Sequence, residues 1–128
     1  MIEGVVLVGV GRNLNRAIRT CYSFGVYDVY CVNCTGQISG NLFAAKAVRL
    51  HQGMPRAESI LALEVAKSLP PLGSIPAESI KYLVVGGESV TLRRKDFPLM
   101  ARIPTANKLC LTTEASLAIA LYHFGGDR

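Results

Sequence analysis

Apolar positions along the chain follow two rhythms. Residues 2–10 form a valine-rich apolar run closed by Gly9 and Gly11, which predicts a buried strand. From Asn13 the rhythm changes. Leu14, Ala17, Ile18 and Cys21 recur at helical spacing, with Asn13 in the cap position and Gly25 just past Phe24, so a helix is expected over 14–24. Residues 27–33 predict a second strand, followed by a turn at Thr35 and Gly36. Residues 41–50 read as a helix, and 55–69 as another with Pro55 near its first turn. Pro70, Pro71, Gly73 and Pro76 then impose a loop. A third buried strand is expected over 80–85, and short extended pieces over 101–104 and 108–111. Residues 112–124 predict a terminal helix, with Glu114 in the first turn where the helix dipole favours an acid.

Strands alternating with helices imply an α/β fold: a mostly parallel sheet with helices on both faces. Ligands of such sheets bind beyond the carboxyl ends of the strands. Three segments fall at such ends, namely 9–15, 86–92 and 111–113, and these are the places to look for chemistry.

Composition narrows the picture. A length of 128 residues predicts one domain over 1–128 with no further domain appended. Half the residues are hydrophobic and 18% are charged, which excludes a disordered chain. The apolar runs are too short for a membrane span, and the opening residues do not read as a secretory leader, so a cytoplasmic protein is expected. The four cysteines then read as reduced thiols rather than a disulfide framework. A net charge of +5 leans modestly toward an anionic partner.

Four groups of residues are candidates for chemistry. Gly9-Val10-Gly11 lies between a strand and a helix, but a dinucleotide site would want a small residue where Leu14 stands and an acid at the end of the next strand. That strand ends in Cys31-Val32-Asn33-Cys34, without a carboxylate, so a nicotinamide site is disfavoured. On a strand, residues three apart point to opposite faces, so Cys31 and Cys34 read as small core thiols rather than as ligands of one metal, and no metal is expected. Arg12, Arg16 and Arg19 fall near one stripe of the first helix, and Arg93-Arg94-Lys95 forms a second basic cluster. Either could be a solvated surface, and either could hold RNA phosphates through the rigid guanidinium fork. Gly86-Gly87-Glu88-Ser89 closes a buried strand with two residues that leave backbone groups free to line a pocket, or it makes a plain tight turn.

Taken together, three blocks resemble the SpoU, or TrmH-like, branch of the SPOUT class of RNA methyltransferases. The first runs from Asn13 to Arg19, six residues later, and on to Phe24-Gly25. The second is the apolar strand Leu83-Val84-Val85 leading to Gly86-Gly87-Glu88, similar to the family's Gly-x-Glu. The third comprises Ile103-Pro104-Thr105, then Leu109-Cys110-Leu111-Thr112-Thr113, then Ala118-Ile119 and Leu121-Tyr122. Cys110 and Thr112 stand where the family usually has Ser and Asn.

The resemblance implies a deep trefoil knot near the C-terminus, although true knots are otherwise essentially absent from proteins. It implies S-adenosylmethionine held in the knot, a homodimer built on the knot helices, and methylation of a ribose 2′-hydroxyl in tRNA or rRNA. By family position Arg19 is the catalytic arginine, with Asn13 and Glu88 shaping the site. Gly86, Gly87, Ile103, Pro104, Leu109, Leu111 and Thr112 would line the cofactor pocket, and Arg12, Arg16, Arg93 and Arg94 would meet RNA. A ribose hydroxyl is a poor nucleophile at neutral pH. A fixed arginine can hold the adjacent phosphate and stabilise charge developing on the attacking oxygen, while its own pKa forbids service as a simple base. The altered block at Cys110-Leu111-Thr112 keeps a rival in view: a knotted RNA-binding or assembly module that has lost turnover. Leu117, Ile119, Ala120, Leu121 and Phe124 surround much of the last helix, which predicts burial on two sides and a symmetric dimer.

Overall fold

Valine and leucine at every position of its middle make the first strand a two-sided core element, and it takes the centre of a six-stranded sheet. The computed structural model describes residues 1–39, 42–107 and 111–125. In chain order its elements are β1 (Gly4–Val8), α1 (Leu14–Ser23), β2 (Asp28–Val32), α2 (Phe43–Ala47), β3 (Arg49–Gln52), β4 (Ile60–Leu63), β5 (Tyr82–Gly86), β6 (Met100–Ala101) and α3 (Thr113–Phe124). Two single turns of 3-10 helix, Leu72–Ser74 and Ala77–Ser79, lie between β4 and β5. The strand order is β3-β2-β1-β5-β4-β6, and every pairing between these strands is parallel. The order reverses direction between β1 and β5, and it is beside such a switch point that a ligand crevice opens.

The two sheet faces are covered differently. Val5, Leu7, Val29, Leu61, Leu83 and Val85 pack with Leu14, Ala17, Ile18 and Cys21 of α1 and with Leu117, Ala120, Leu121 and Phe124 of α3. On the other face Val6, Ala62, Val84 and Met100 lie under Leu69 and Leu92, which come from irregular segments. Among the described residues the helices share one face, instead of occupying both as expected. The connections into β5 and β6 carry Pro70, Pro71, Pro76 and Pro98, which interrupt a helix wherever they fall in its interior.

The first helix follows its pattern closely: Leu14, Ala17, Ile18 and Cys21 are its buried residues. Its end is set by Gly25, whose φ of 76° suits a residue without a Cβ. There the Val26 amide donates to the Cys21 carbonyl at 2.9 Å and the Gly25 amide to the Tyr22 carbonyl at 3.0 Å. Asn13 differs from expectation, because its side chain does not cap the helix.

Two further expectations change. Of the described residues in the stretch 41–50, those of Phe43–Ala47 are helical, and Arg49 already starts β3. The helix expected over 55–69 is absent, and Ile60–Leu63 is instead a strand between β5 and β6. Helix propensities separate its residues by only tenths of a kcal/mol. Burying Leu61 and Leu63 contributes about 1.5–3 kcal/mol each, so the place in the sheet decides. A four-residue apolar run also carries no period to distinguish helix from strand.

The facing of the two cysteines is corrected as well. Asn33 has a φ of 54°, which ends β2 and turns the chain back. Cys34 therefore packs against the same core cluster that contains Cys31.

Candidate functional site

The carboxyl ends of β1 and β5 approach so closely that only glycine fits. A Cβ on Gly87 would come within 2.3 Å of the Gly9 carbonyl oxygen and 3.1 Å of the Val10 Cα. Gly9 itself has a φ of 63°. The Gly87 amide donates to the Val8 carbonyl at 2.8 Å, which extends the ladder one step past the strand. The start of α3 closes in from the side, where the Thr113 hydroxyl donates to the Gly86 carbonyl at 2.9 Å.

Two hollows open at this junction. The smaller, about 190 Å³, is lined by residues 9–13, 87–89 and Thr113. Across it the Asn13 side-chain amide donates to Glu88 Oε1 at 3.0 Å. That bond takes Asn13 away from capping α1. The larger hollow, about 610 Å³, extends over the ends of β4, β5 and β6. Leu63, Val85, Ile103 and Leu111 give it apolar walls, Gly86 and Gly87 give it bare backbone, and Glu64, Glu88, Lys67 and Arg102 give it charge. Glu64 is fixed by the Leu92 amide, which donates to Oε2 at 2.8 Å, and Arg102 by donation from Nε to the Leu69 carbonyl at 3.0 Å.

The three sheet-end segments singled out in the sequence thus meet. Gly86, Gly87, Glu88, Ile103 and Leu111 all line the larger hollow. Pro104 and Thr112 do not; Thr112 caps α3 instead, its Oγ1 accepting from the Ala115 amide at 3.3 Å. Leu109 lies outside the described residues. Of the arginines, Arg12 lines the smaller hollow. Arg16 pairs with Glu114 at 3.3 Å and ties α1 to α3. Arg19 is exposed one turn further along α1 and lines neither hollow. Arg93 and Arg94 are exposed on the turn after Leu92. Glu64 and Arg102 escaped the sequence reading, because β4 was expected to be helical and β6 is only two residues long. Among the described residues no group of three or more His, Cys, Asp or Glu could hold a metal, and no helix is long and apolar enough to cross a membrane.

No family model and no curated protein matches the chain. Solved structures do. The TrmH/SpoU tRNA modifying enzyme of A. aeolicus superposes with a TM-score of 0.79 at 18% identity, over 98% of this chain and 75% of that one. A structure solved to explain 2-OH methylation of C/U34 on tRNA gives 0.74 at 20% identity, over 96% and 88%. The SpoU methyltransferase AviRb from Streptomyces viridochromogenes, in complex with AdoMet, gives 0.78 at 11% identity, over 97% and 59%. The chain therefore has the α/β fold of the TrmH/SpoU methyltransferases.

Proposed function

We propose that this chain is an S-adenosylmethionine-dependent methyltransferase that modifies a ribose 2′-hydroxyl of tRNA or rRNA. The observation that carries the reading is the larger hollow: glycine-edged strand ends and the start of α3 converge on one cavity at the carboxyl edge of a TrmH/SpoU-like sheet. Its size lies in the usual range for small-molecule sites. Its apolar walls suit a purine, the free backbone of Gly86 and Gly87 suits polar ring edges, and its carboxylates suit a sulfonium and an ammonium. When bound, the cofactor supplies an activated methyl group.

The rest of the work falls to this chain. Asn13 and Glu88, joined across the smaller hollow, would orient the ribose hydroxyl in line with that methyl. Arg12 at the same hollow and Arg19 on the exposed side of α1 would hold phosphates, with Arg19 stabilising charge on the attacking oxygen. Arg93 and Arg94 would extend the basic track, while Arg16 is committed to Glu114. The trefoil knot, the homodimer and a cytoplasmic site of action go with this proposal. Ile119 and Tyr122, 42% and 79% exposed on α3, offer the apolar surface a second copy would cover.

The test is transfer of a tritiated methyl from S-adenosylmethionine to total tRNA and rRNA, followed by alkaline hydrolysis. A methylated 2′-oxygen cannot attack its neighbouring phosphate, so label should persist in alkali-stable dinucleotides. Arg19→Ala should lower transfer by about 10² or more, with cofactor affinity held within about threefold. Cofactor binding without transfer to any RNA would favour the assembly module, and absence of cofactor binding would refute the reading altogether.

A further inference from the structure

The Cys31-x-x-Cys34 pair lies outside the proposed chemistry, yet the fold assembles it. Cys31 is buried, 6% exposed, in the core under α1. Cys34 is half-buried at the end of the same strand. The left-handed turn at Asn33 folds the chain back so that Cys34 packs against the core cluster that contains Cys31, beside Leu7, the register partner of Cys31 on β1. Cys34 as a thiol in turn reaches the Leu7 carbonyl at 3.2 Å. Cys31 thus lies in the core, and Cys34, packed beside it, is partly open to solvent.

We propose that Cys31 and Cys34 form a reversible thiol–disulfide site that takes a low-molecular-weight disulfide as its oxidant. The Cys34 thiolate attacks one sulfur of that disulfide, forming a mixed disulfide and expelling one thiolate, which takes up the proton Cys34 gave to solvent. Cys31 then attacks the Cys34 sulfur and expels the second thiolate, to which its own proton passes. The protein loses two electrons and two protons, and the small disulfide becomes two thiols.

The electrostatics set the order of attack. The neighbouring Cys31 thiol holds the Cys34 pKa below the ordinary thiol range, aided by the backbone of Val10, Val32 and Gly9, while burial opposes it. The Cys34 sulfur beside it and its own burial push the Cys31 pKa up. Cys34 is therefore the nucleophile. Capping it removes the charge that kept Cys31 protonated, and Cys31 is released to resolve the mixed disulfide. Cys21 is no competitor, since burial pushes its pKa up to about 12.

The segment that follows the pair is tied to the 9–13 loop. The Thr35 and Gly36 amides donate to the Val10 carbonyl at 3.0 and 3.3 Å, and a Cβ on Gly36 would strike the Gly11 carbonyl.

The experiment exposes the full chain to oxidised glutathione at neutral pH, blocks remaining thiols by alkylation and maps the products by mass spectrometry. The expected product is an internal Cys31–Cys34 disulfide with Cys21 still alkylatable after unfolding. Cys31→Ala should stop the reaction at a glutathione adduct on Cys34, and Cys34→Ala should give no product at either position. In the reduced protein Cys34 should alkylate with a half-maximal pH below about 8, under the usual thiol value of about 8.5. A glutathione adduct that persists in the unaltered chain, or two thiols that stay free, would overturn the proposal. Neither result bears on methyl transfer, so the two readings fail independently.

Discussion

The two ends of the parallel sheet are built on opposite principles. At the amino end side chains satisfy one another. Asp28 accepts from Arg49 Nε and Nη2, both at 2.7 Å, and contacts His51 Nε2 at 2.9 Å. Tyr30 stacks on His51 with ring centroids 4.4 Å apart, and Tyr82 meets Tyr30 edge-on at 6.2 Å. Lys81 faces Glu3 at 3.8 Å. At the carboxyl end side chains are withdrawn. Glycines bring backbone to backbone, and around them open hollows of about 190 and 610 Å³. A corner whose polar groups are already paired has little to offer a ligand. A rim of bare backbone and a few anchored charges has groups to spare, which is the reason for placing the proposed cofactor site there.

The sharpest way to break the carboxyl end is to fill it. Gly87→Val would drive side-chain atoms into the Gly9 carbonyl and the Val10 Cα, which are backbone and cannot swing aside. A loss of about 3 kcal/mol is expected, read as a lower urea midpoint at unchanged slope, together with loss of cofactor binding. Gly73→Ala is the control, because a Cβ there meets nothing within 4 Å and the backbone is not left-handed. It should change stability by no more than about 0.5 kcal/mol. Equal effects at the two glycines would erase the distinction drawn here.

A second pair of substitutions separates stability from function within the site. Asn13 and Glu88 meet in a solvent-exposed bond, so Asn13→Ala and Glu88→Ala should each cost under about 1 kcal/mol. Both should lower methyl transfer by about 10–10², and the double variant should lose little more than either single one, because the two act as a unit. Additive losses in transfer would show that the pair does not orient one hydroxyl.

The same contrast explains what the sequence could disclose. Helix α1 was legible because ten residues at period 3.6 leave one burial solution, and its four apolar positions are the four that are buried. The glycines at 9, 11, 86 and 87 were legible as strand ends, and they do line the hollows. Strand β4 was not legible: Ile60-Leu61-Ala62-Leu63 is covered by its neighbours β5 and β6, whose paired residues lie 22 or more positions away in the chain (Ile60 with Tyr82, Ala62 with Met100). Glu64 was lost with it, since a strand end cannot be noticed when the strand is not. Cys34 was misread for a related reason. The rule of alternating faces holds only inside a strand, and the single left-handed residue Asn33 cancels it.

The amino end gives the smallest effect and the clearest sign. Arg49 first, then His51, hold the Asp28 pKa at about 2 against an ordinary 3.8. A carboxyl whose pKa falls on folding stabilises the folded state above its unfolded value, and that stability is lost as pH drops from 3.8 toward about 2. The Arg49 side chain is 66% exposed, so solvent screening limits the contribution to about 1 kcal/mol. Asp28→Asn should therefore lower stability by about 1 kcal/mol at pH 7 and flatten its decline across that acid window. The gap between variant and parent should shrink in 1 M salt, where the screening length is about 3 Å. Cofactor affinity should not move, because the cluster lies at the opposite end of the sheet from both hollows. A shift in affinity with Asp28→Asn would mean that the two ends are energetically coupled through β1 and β2, and that the division of labour between them is not real.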